Sequence, residues 1–409
     1  MKILLINKFH FLRGGAERVY LETKEILESN GHEVVCFSMK DNRNLPSNQE
    51  KYFVENVDFS NTKNWFKKSL RFLYYPKAGE LLEQLIVKEK PDVAHIHNYN
   101  HQLTFSILKP LKKHKIPIVQ TLHDYQLISP NYSLYSHNKI DECAYKRKYY
   151  KCVYKKSVRG KFLPSLLAAL EMYLQLIFKF HKKIDLFVSP SKFLREKVRD
   201  WGFDVPIRVV PNFVDLEKLK PTHEPGDYVL FLGRLSQEKG VMTLVKAARK
   251  LPEIKVKIVG SGPQEGKIAH YIKKKQVKNV ELLGRKEGDE VFELIKGCRF
   301  MVVPSEWYEN YPMSVLESLA LGKPVLASKL GGLQEMIMEN RTGWFFEAGN
   351  VYDLRKKIKM HFPDLRTIEQ LGKSGRKFVE QNNSSQMYYD RLMKCYYQVL
   401  PEEKQLSLG

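Results

Sequence analysis

The chain has 409 residues, 43% of them hydrophobic, and carries 68 lysines and arginines against 46 acidic residues, a net charge of +22. Such a length exceeds one ordinary core and fits two domains of about 150–200 residues each, and the composition excludes collagenous, low-complexity and repeat architectures. The cationic excess attracts polyanions, which include nucleic acid, anionic lipid and phosphorylated substrates.

The first apolar run, Ile3 to Ile6, is too short for the core of a signal peptide and reads as a first β-strand. Further strands are expected at Glu33–Ser38, Asp92–His97, Ile116–His123 and Asp185–Pro190. A second series follows at Arg208–Asn212, Tyr228–Gly233, Lys255–Gly260, Val280–Gly284, Arg299–Ser305 and Pro324–Ser328. Most are Val, Ile, Leu and Phe runs without polar alternation, as strands buried on both faces should be. Amphipathic stretches such as Ala16–Asn30 and Gly240–Lys250 lie between them. Alternating strands and helices imply parallel sheets with right-handed crossovers. The expected fold is therefore α/β, with two doubly wound Rossmann-like domains: residues 1–205, completed by a C-terminal helix at 386–400, and residues 206–385.

The greasy stretch Phe162–Phe180 contains Pro164 and Glu171, which argues against a membrane span. Five scattered cysteines, Cys36, Cys143, Cys152, Cys298 and Cys395, without a CxxC pair, read as free thiols of a reducing cytosol rather than a disulfide framework or a zinc site. His95, His97 and His101 follow the third strand, but no carboxylate stands at a fitting interval for a metal, so structural or acceptor-side roles are expected.

In open parallel sheets ligands bind beyond the carboxyl ends of the strands. There stand Gly14-Gly15, at a turn into a helix, where backbone N–H groups suit phosphate. The dinucleotide fingerprint GxGxxG is absent. After Tyr228–Gly233 come Arg234 and Lys239, a planar fork and a point charge able to neutralise a diphosphate. After Arg299–Ser305 comes Glu309-Asn310-Tyr311-Pro312-Met313-Ser314, then Glu317. Pro312 suits the first turn of a helix, Glu309 precedes that helix and Glu317 lies inside it. The free N–H groups between the two carboxylates face a bound anion, while the carboxylates accept sugar hydroxyls. The spacing alone proves nothing, since Glu17 and Glu25 repeat it on an ordinary helix.

In its context, after Pro304-Ser305 and before Ala320-Leu321-Gly322-Lys323-Pro324, Glu309-x7-Glu317 resembles the signature of the retaining glycosyltransferases of family 4. Further markers agree in order: Gly14-Gly15, His123-Asp124, Ser189-Pro190-Ser191, Val210-Pro211-Asn212, Gly233-Arg234 with Lys239, Gly260-Ser261-Gly262-Pro263, Gly331-Gly332 with Glu335, and Thr342-Gly343. The resemblance implies the GT-B fold, with the donor in a cleft between the domains. It implies that Arg234 and Lys239 grip the donor diphosphate, that Glu317 binds the ribose and that Glu309 meets the transferred sugar. The backbone of Asn310, Tyr311, Met313 and Ser314 would face sugar and phosphate, with Gly14-Gly15 over the phosphates, His123 at the reacting face and Arg285 and Lys286 near the base. Many relatives have Gly-Phe-Gly where this chain has Asn310-Tyr311-Pro312, and the proline removes one backbone donor.

The resemblance also implies retention by front-face attack, in which the leaving phosphate oxygen takes the acceptor proton. No Asp-x-Asp occurs in the chain, and no metal or other cofactor is expected, the nucleotide sugar being a co-substrate. From Tyr145 to Lys161 there are eight Lys or Arg and no acids, interleaved with tyrosines. Lys63–Lys77 repeats this character, with Trp65, Phe66, Phe72, Tyr74 and Tyr75 among its cations. Cations beside aromatics suit an anionic membrane surface. The expected protein is a cytoplasmic enzyme at the inner face of the cell membrane, acting on a saccharide or lipid-linked acceptor in surface polysaccharide synthesis. The competing readings are a GT-B sugar-nucleotide epimerase and a nucleic-acid-binding protein. The latter lacks a zinc finger, helix-turn-helix or RNP-like signature, so no nucleic-acid partner is expected.

Overall fold

The computed structural model describes residues 1–57 and 65–404, with the side chains of 65–68 excepted. The first part of the basic stretch Lys63–Lys77, Trp65 and Phe66 included, thus lies outside the described side chains. The chain divides into two compact units, one of Met1–Ser133, Glu142–Val210 and the segment from Tyr389 on, the other of Leu134–Asp141 and Pro211–Tyr388.

The first unit is built on a parallel six-stranded sheet of β1 (Lys2–Ile6), β2 (Glu33–Phe37), β3 (Val93–Ile96), β4 (Ile118–Thr121), β5 (Leu186–Ser189) and β6 (Ile207–Val209), in the order β2-β1-β3-β4-β5-β6. Every residue of β3, β4 and β5 is buried, so these strands read as mainly apolar runs, with His95, Gln120, Thr121 and Ser189 as the polar residues buried within them. One assignment changes: the segment around Arg208, read as opening the second series, pairs with β5 and closes the first sheet (Val188 opposite Arg208).

The second unit repeats the design with β7 (Tyr228–Leu232), β8 (Lys255–Val259), β9 (Val280–Gly284), β10 (Cys298–Val303), β11 (Val325–Ser328) and β12 (Gly343–Phe346), ordered β9-β8-β7-β10-β11-β12. Its core gathers Val229, Phe231, Leu244, Ile258, Phe300 and Trp344. Both halves are thus doubly wound α/β sheets, as the strand–helix alternation predicts. The order reverses beside β1 in the first sheet and between β7 and β10 in the second, and such switch points open a crevice at the strand ends.

Side-chain caps fix several helix starts: Ser191 accepts from the Leu194 N–H, Asn350 from Asp353 and Asp364 from Thr367. The stretch Phe162–Phe180 forms the helix Phe162–Ile177, and no helix of the described residues is long and apolar enough to cross a membrane. The last long helix, Ser385–Val399, delivers Tyr389 and Tyr396 to the first unit, where they bond His32 (2.8 Å) and His95 (2.7 Å). All five cysteines are unbridged; the sulfurs of Cys143 and Cys152 approach to 2.9 Å.

Candidate active site

The second unit places its chemistry at the switch point. Arg234 leaves the end of β7 exposed, with no ion-pair partner among the described residues. Lys239 ends the short turn Gln237–Lys239, and its Nζ lies 2.7 Å from Oε1 of Glu309. That carboxylate oxygen also accepts from Ser305 Oγ at 2.6 Å, and the Lys239 ammonium stands 5.2 Å from the centre of the Trp307 ring. Glu309 and Glu317 are buried at 4% and 3% exposure, so the carboxylates expected at the two sides of a phosphate are both set into the protein.

The helix after Glu309 begins at Met313, one residue later than expected. Pro312 caps it in an extended conformation (ψ 129°), with its carbonyl accepting from Val315 at 3.2 Å. Its missing N–H therefore falls just outside the helix, and Met313 and Ser314 hold the first-turn N–H groups that point from a helix end. Tyr311 is fixed from behind: Asn212 donates to its carbonyl (2.8 Å) and Asn383 to its hydroxyl (3.1 Å). Gly332 presses on the same loop, donating its N–H to the Glu309 carbonyl at 2.7 Å; a Cβ there would stand 1.7 Å from the Asn310 carbonyl oxygen. Arg285 follows β9 on the surface, paired with Glu287 at 2.6 Å.

Several neighbours were not singled out from the sequence. Glu306 accepts from Thr243 Oγ1 (2.6 Å) and from Tyr135 of the small hairpin Tyr135–Ile140 (3.4 Å), which anchors the turn beside Lys239. The phenol of Tyr135 is pushed up by burial and by Glu306. Ser305, named from the sequence only as part of the motif's context, gains a definite contact here, donating to Glu309.

In the first unit, Gly14 is the N-cap of the helix Gly15–Ser29, in extended backbone, and open space surrounds both glycines: a Cβ at Gly14 meets only Glu17 at 3.6 Å. No crowding within the fold requires glycine at either position. His123 lies two residues beyond β4, its Nε2 2.9 Å from Nδ1 of His97, with the rings stacked. His95 bonds Tyr396 and Thr121, each at 2.7 Å. Burial, reinforced by the Lys8 charge, lowers His123 to about 4; burial and His123 lower His95 to about 3, and burial, with His95 and His123, holds His97 well below its ordinary value. The three imidazoles are thus neutral hydrogen-bonding groups at neutral pH. Among the described residues no cluster of three or more His, Cys, Asp or Glu side chains suits a metal ion. His101 stands apart, bonded to Glu171 at 3.2 Å and stacked on Phe72.

Two parallel sheets, each wound with helices, define a doubly wound α/β protein. The sequence comparisons narrow the class. Residues 13–218 match the profile of Glycosyltransferase Family 4 and residues 216–378 that of Glycosyl transferases group 1. The chain belongs to the family 4 glycosyltransferases and has the GT-B fold.

An uncharacterised glycosyltransferase of Methanocaldococcus jannaschii is 32% identical over 199 residues, 48% of this chain and 55% of that protein. An uncharacterised 42.6 kDa protein of the Klebsiella pneumoniae cps region is 26% identical across 82% of this chain and 87% of its own length. The lipopolysaccharide 1,2-N-acetylglucosaminetransferase of Salmonella typhimurium is 28% identical over 38% of this chain and 47% of that enzyme. The chain thus spans about half the length of the first and third of these relatives and most of the second. Among solved structures, sucrose-phosphate synthase of Thermosynechococcus elongatus has a TM-score of 0.73 at 19% identity, covering 97% of this chain and 98% of that one. The Anabaena protein HepE in complex with UDP-glucose has a TM-score of 0.70 at 16% identity, covering 97% and 99%. These two likenesses concern the fold.

Proposed function

We propose that the chain is a retaining hexosyltransferase that moves a sugar from a nucleotide diphosphate donor to a saccharide or lipid-linked acceptor in surface polysaccharide biosynthesis. The observation that carries this reading is the Lys239–Glu309 pair at the switch point of the second sheet, just before the helix Met313–Ala320. Arg234 and Lys239 take the donor diphosphate, helped by the N–H groups of Met313 and Ser314; Glu317 takes the ribose hydroxyls, Glu309 and the Asn310–Tyr311 backbone the sugar, and Arg285 the base. Gly14, Gly15 and His123 keep the phosphate and acceptor-side roles that the family resemblance implies.

In the reaction, an acceptor hydroxyl attacks the anomeric carbon from the face the diphosphate leaves. The carbon–oxygen bond to phosphate breaks, and the leaving phosphate oxygen takes the acceptor proton. Arg234, Lys239 and the helix end stabilise the charge that develops on the diphosphate, a term that commonly supplies several kcal/mol of a rate enhancement. Glu309, engaged by Lys239 and Ser305, serves as an anion that orders cation and sugar rather than as a glycosidase-type acid. The chemistry needs no divalent metal because the protein's own cations do its work.

This reading also puts the enzyme in the cytoplasm, at the inner face of the cell membrane. The helix Phe162–Ile177 and its flanks expose Phe162, Leu163, Leu170, Ile177 and Phe178, the last two at 70% and 57%. The cations Lys151, Lys155, Lys156, Arg159 and Lys161 are exposed along the preceding segment. Apolar side chains amid cations fit an anionic bilayer surface.

The test is a thermal-shift and slow-hydrolysis screen of the purified protein against UDP-, GDP-, ADP- and dTDP-sugars, with EDTA present. Stabilisation by one donor, with release of its nucleotide diphosphate, is expected. Consumption of the donor without that release points to an epimerase, and silence toward every donor sinks the transferase reading.

A further inference from the structure

The fold of the first unit brings Cys143 and Cys152 together and holds each from its own side. Glu142, just before Cys143, pairs with Lys197 at 2.5 Å. Tyr145, two residues after it, reaches Asp200 at 3.2 Å and meets the Trp201 ring edge-on. The chain then reverses at Lys146 and Arg147, both in left-handed backbone (φ 53° and 65°), and Arg147 donates to the Gly202 carbonyl. Cys152 lies in the helix Tyr150–Tyr154, behind the buried Tyr149, and its carbonyl accepts from the Ser157 N–H at 2.9 Å. The two sulfurs, unbridged, stand 2.9 Å apart, and Ser157 Oγ lies 3.4 Å from that of Cys143.

Access and charge set this pair apart from the other cysteines. Among the described residues Cys143 is the one cysteine that is not buried, while Cys152 sits buried behind it. Cys36, Cys298 and Cys395 are buried as well, and burial pushes their thiols up to about 11, about 12 and about 11. Such thiols stay protonated and inert at neutral pH. Beside Cys143 the segment Tyr145–Lys161 supplies eight Lys or Arg and no acid. The two acids that precede Cys143 are engaged, Asp141 by Ser136 Oγ at 2.6 Å and Glu142 by Lys197. The thiolate is the form that oxidants attack, and a cationic surround favours it. An accessible sulfur with a second, sheltered sulfur against it is the arrangement in which one thiol meets an oxidant and the other resolves the product.

We propose that Cys143 and Cys152 form a reversible modification site, in which a hydroperoxide oxidises Cys143 and Cys152 closes the product to an intramolecular disulfide. The Cys143 sulfur attacks a peroxide oxygen, the O–O bond breaks, and a sulfenic acid forms as an alcohol leaves, or water where the oxidant is hydrogen peroxide. The Cys152 sulfur then attacks the Cys143 sulfur and expels a molecule of water. Two electrons pass from the sulfurs to the peroxide, and both thiol hydrogens end in the departing molecules. A thiol reductant such as glutathione reverses the bond by exchange. The disulfide ties the ends of a loop that carries Lys146, Arg147, Lys148 and Lys151, part of the cationic segment assigned to the membrane surface. The site stands independently of the transferase reading.

The experiment treats the reduced full chain with hydrogen peroxide, caps the remaining thiols with N-ethylmaleimide in denaturant and maps the peptides by mass spectrometry. A link between Cys143 and Cys152, lighter by two hydrogens and restored by dithiothreitol, is expected, with Cys36, Cys298 and Cys395 capped. Cys152→Ser should stop at a sulfenic acid on Cys143 that dimedone traps, and Cys143→Ser should leave Cys152 capped. Bridging in the folded chain should run at least about tenfold faster than in urea, because positioning replaces a random encounter. Capping of both Cys143 and Cys152 after peroxide overturns the site, as does an equal rate in urea. Dimedone on a buried cysteine in preference to Cys143 overturns the assigned order of attack. The wild-type comparison with urea decides the matter even where a serine variant does not fold.

Discussion

Lys239 and Glu309, 70 residues apart in the chain, meet at 2.7 Å, so the cation assigned to the diphosphate is already in the grip of the carboxylate assigned to the sugar. A diphosphate at Lys239 shares that ammonium with Glu309, and the sugar it carries is drawn toward the same carboxylate. On the proposed roles, one ion pair couples the two halves of the donor. Lys239→Ala and Glu309→Ala are each expected to lower kcat/KM about a hundredfold or more. Lys239→Ala also leaves the buried Glu309 carboxylate held by Ser305 without its cation, a cost of about 1–3 kcal/mol in stability. Donor kinetics beside thermal melts check both, and near-normal turnover in well-folded variants contradicts the assignment.

Gly332 offers a test without touching any charge. A methyl group there runs into the Asn310 carbonyl at 1.7 Å, and backbone cannot yield as a flexible side chain does. Gly332→Ala is expected to cost about 1–3 kcal/mol and to raise the donor KM by displacing the Glu309–Asn310 loop. A melt and a KM unchanged from wild type would show that the loop carries no such constraint.

Acid should loosen the first unit. His123 and His95 are held at about 4 and about 3 in the folded protein, and His97 is also held well below the ordinary value of 6.5. The unfolded chain therefore binds more protons than the native one below that value. The stability contributed by these neutral imidazoles is complete above pH 6.5 and is lost as pH falls through 4. A melting temperature that declines across this window, and declines less in His123→Asn, is the expected result. An equal decline in that variant removes His123 from the account.

Membrane contact makes its own prediction. The full chain should co-sediment with phosphatidylglycerol-containing vesicles at low salt and release as salt rises, because exposed cations are screened within about 10 Å at 0.1 M ionic strength. Ile177→Ser together with Phe178→Ser should weaken the binding, both side chains being exposed. Binding to neutral and anionic vesicles alike refutes the electrostatic part.

Much of the fold is legible because both central sheets are buried on two faces, so their strands appear as apolar runs that no loop would carry. Legibility ended where an element owes its place to distant contacts. The strand Gly343–Phe346 is too short for a periodic signal and exists through its ladder with Val325–Ser328. The helix Leu365–Asn382 contains Gly372, a poor helix former, because a Cβ there would lie 2.1 Å from the Gly322 carbonyl of the neighbouring turn. At the site, residue types and order after each strand were readable. The partners of those residues were not: His97 and His123 are 26 positions apart, and Thr243 and Glu306 are 63 apart.

The closing helix has a bearing on how the protein comes to be made. His95, at the centre of the first sheet, leans on Tyr396, and Asp92 at the edge of β3 pairs with Lys404 at 2.7 Å. A ribosome delivers those partners only after the whole second unit has been synthesised. The first unit, though its sheet is translated early, must wait with a buried histidine uncovered until residues 389–404 have emerged. Its nascent form therefore has a time window, set by the speed of translation, in which a chaperone or a protease meets it incomplete.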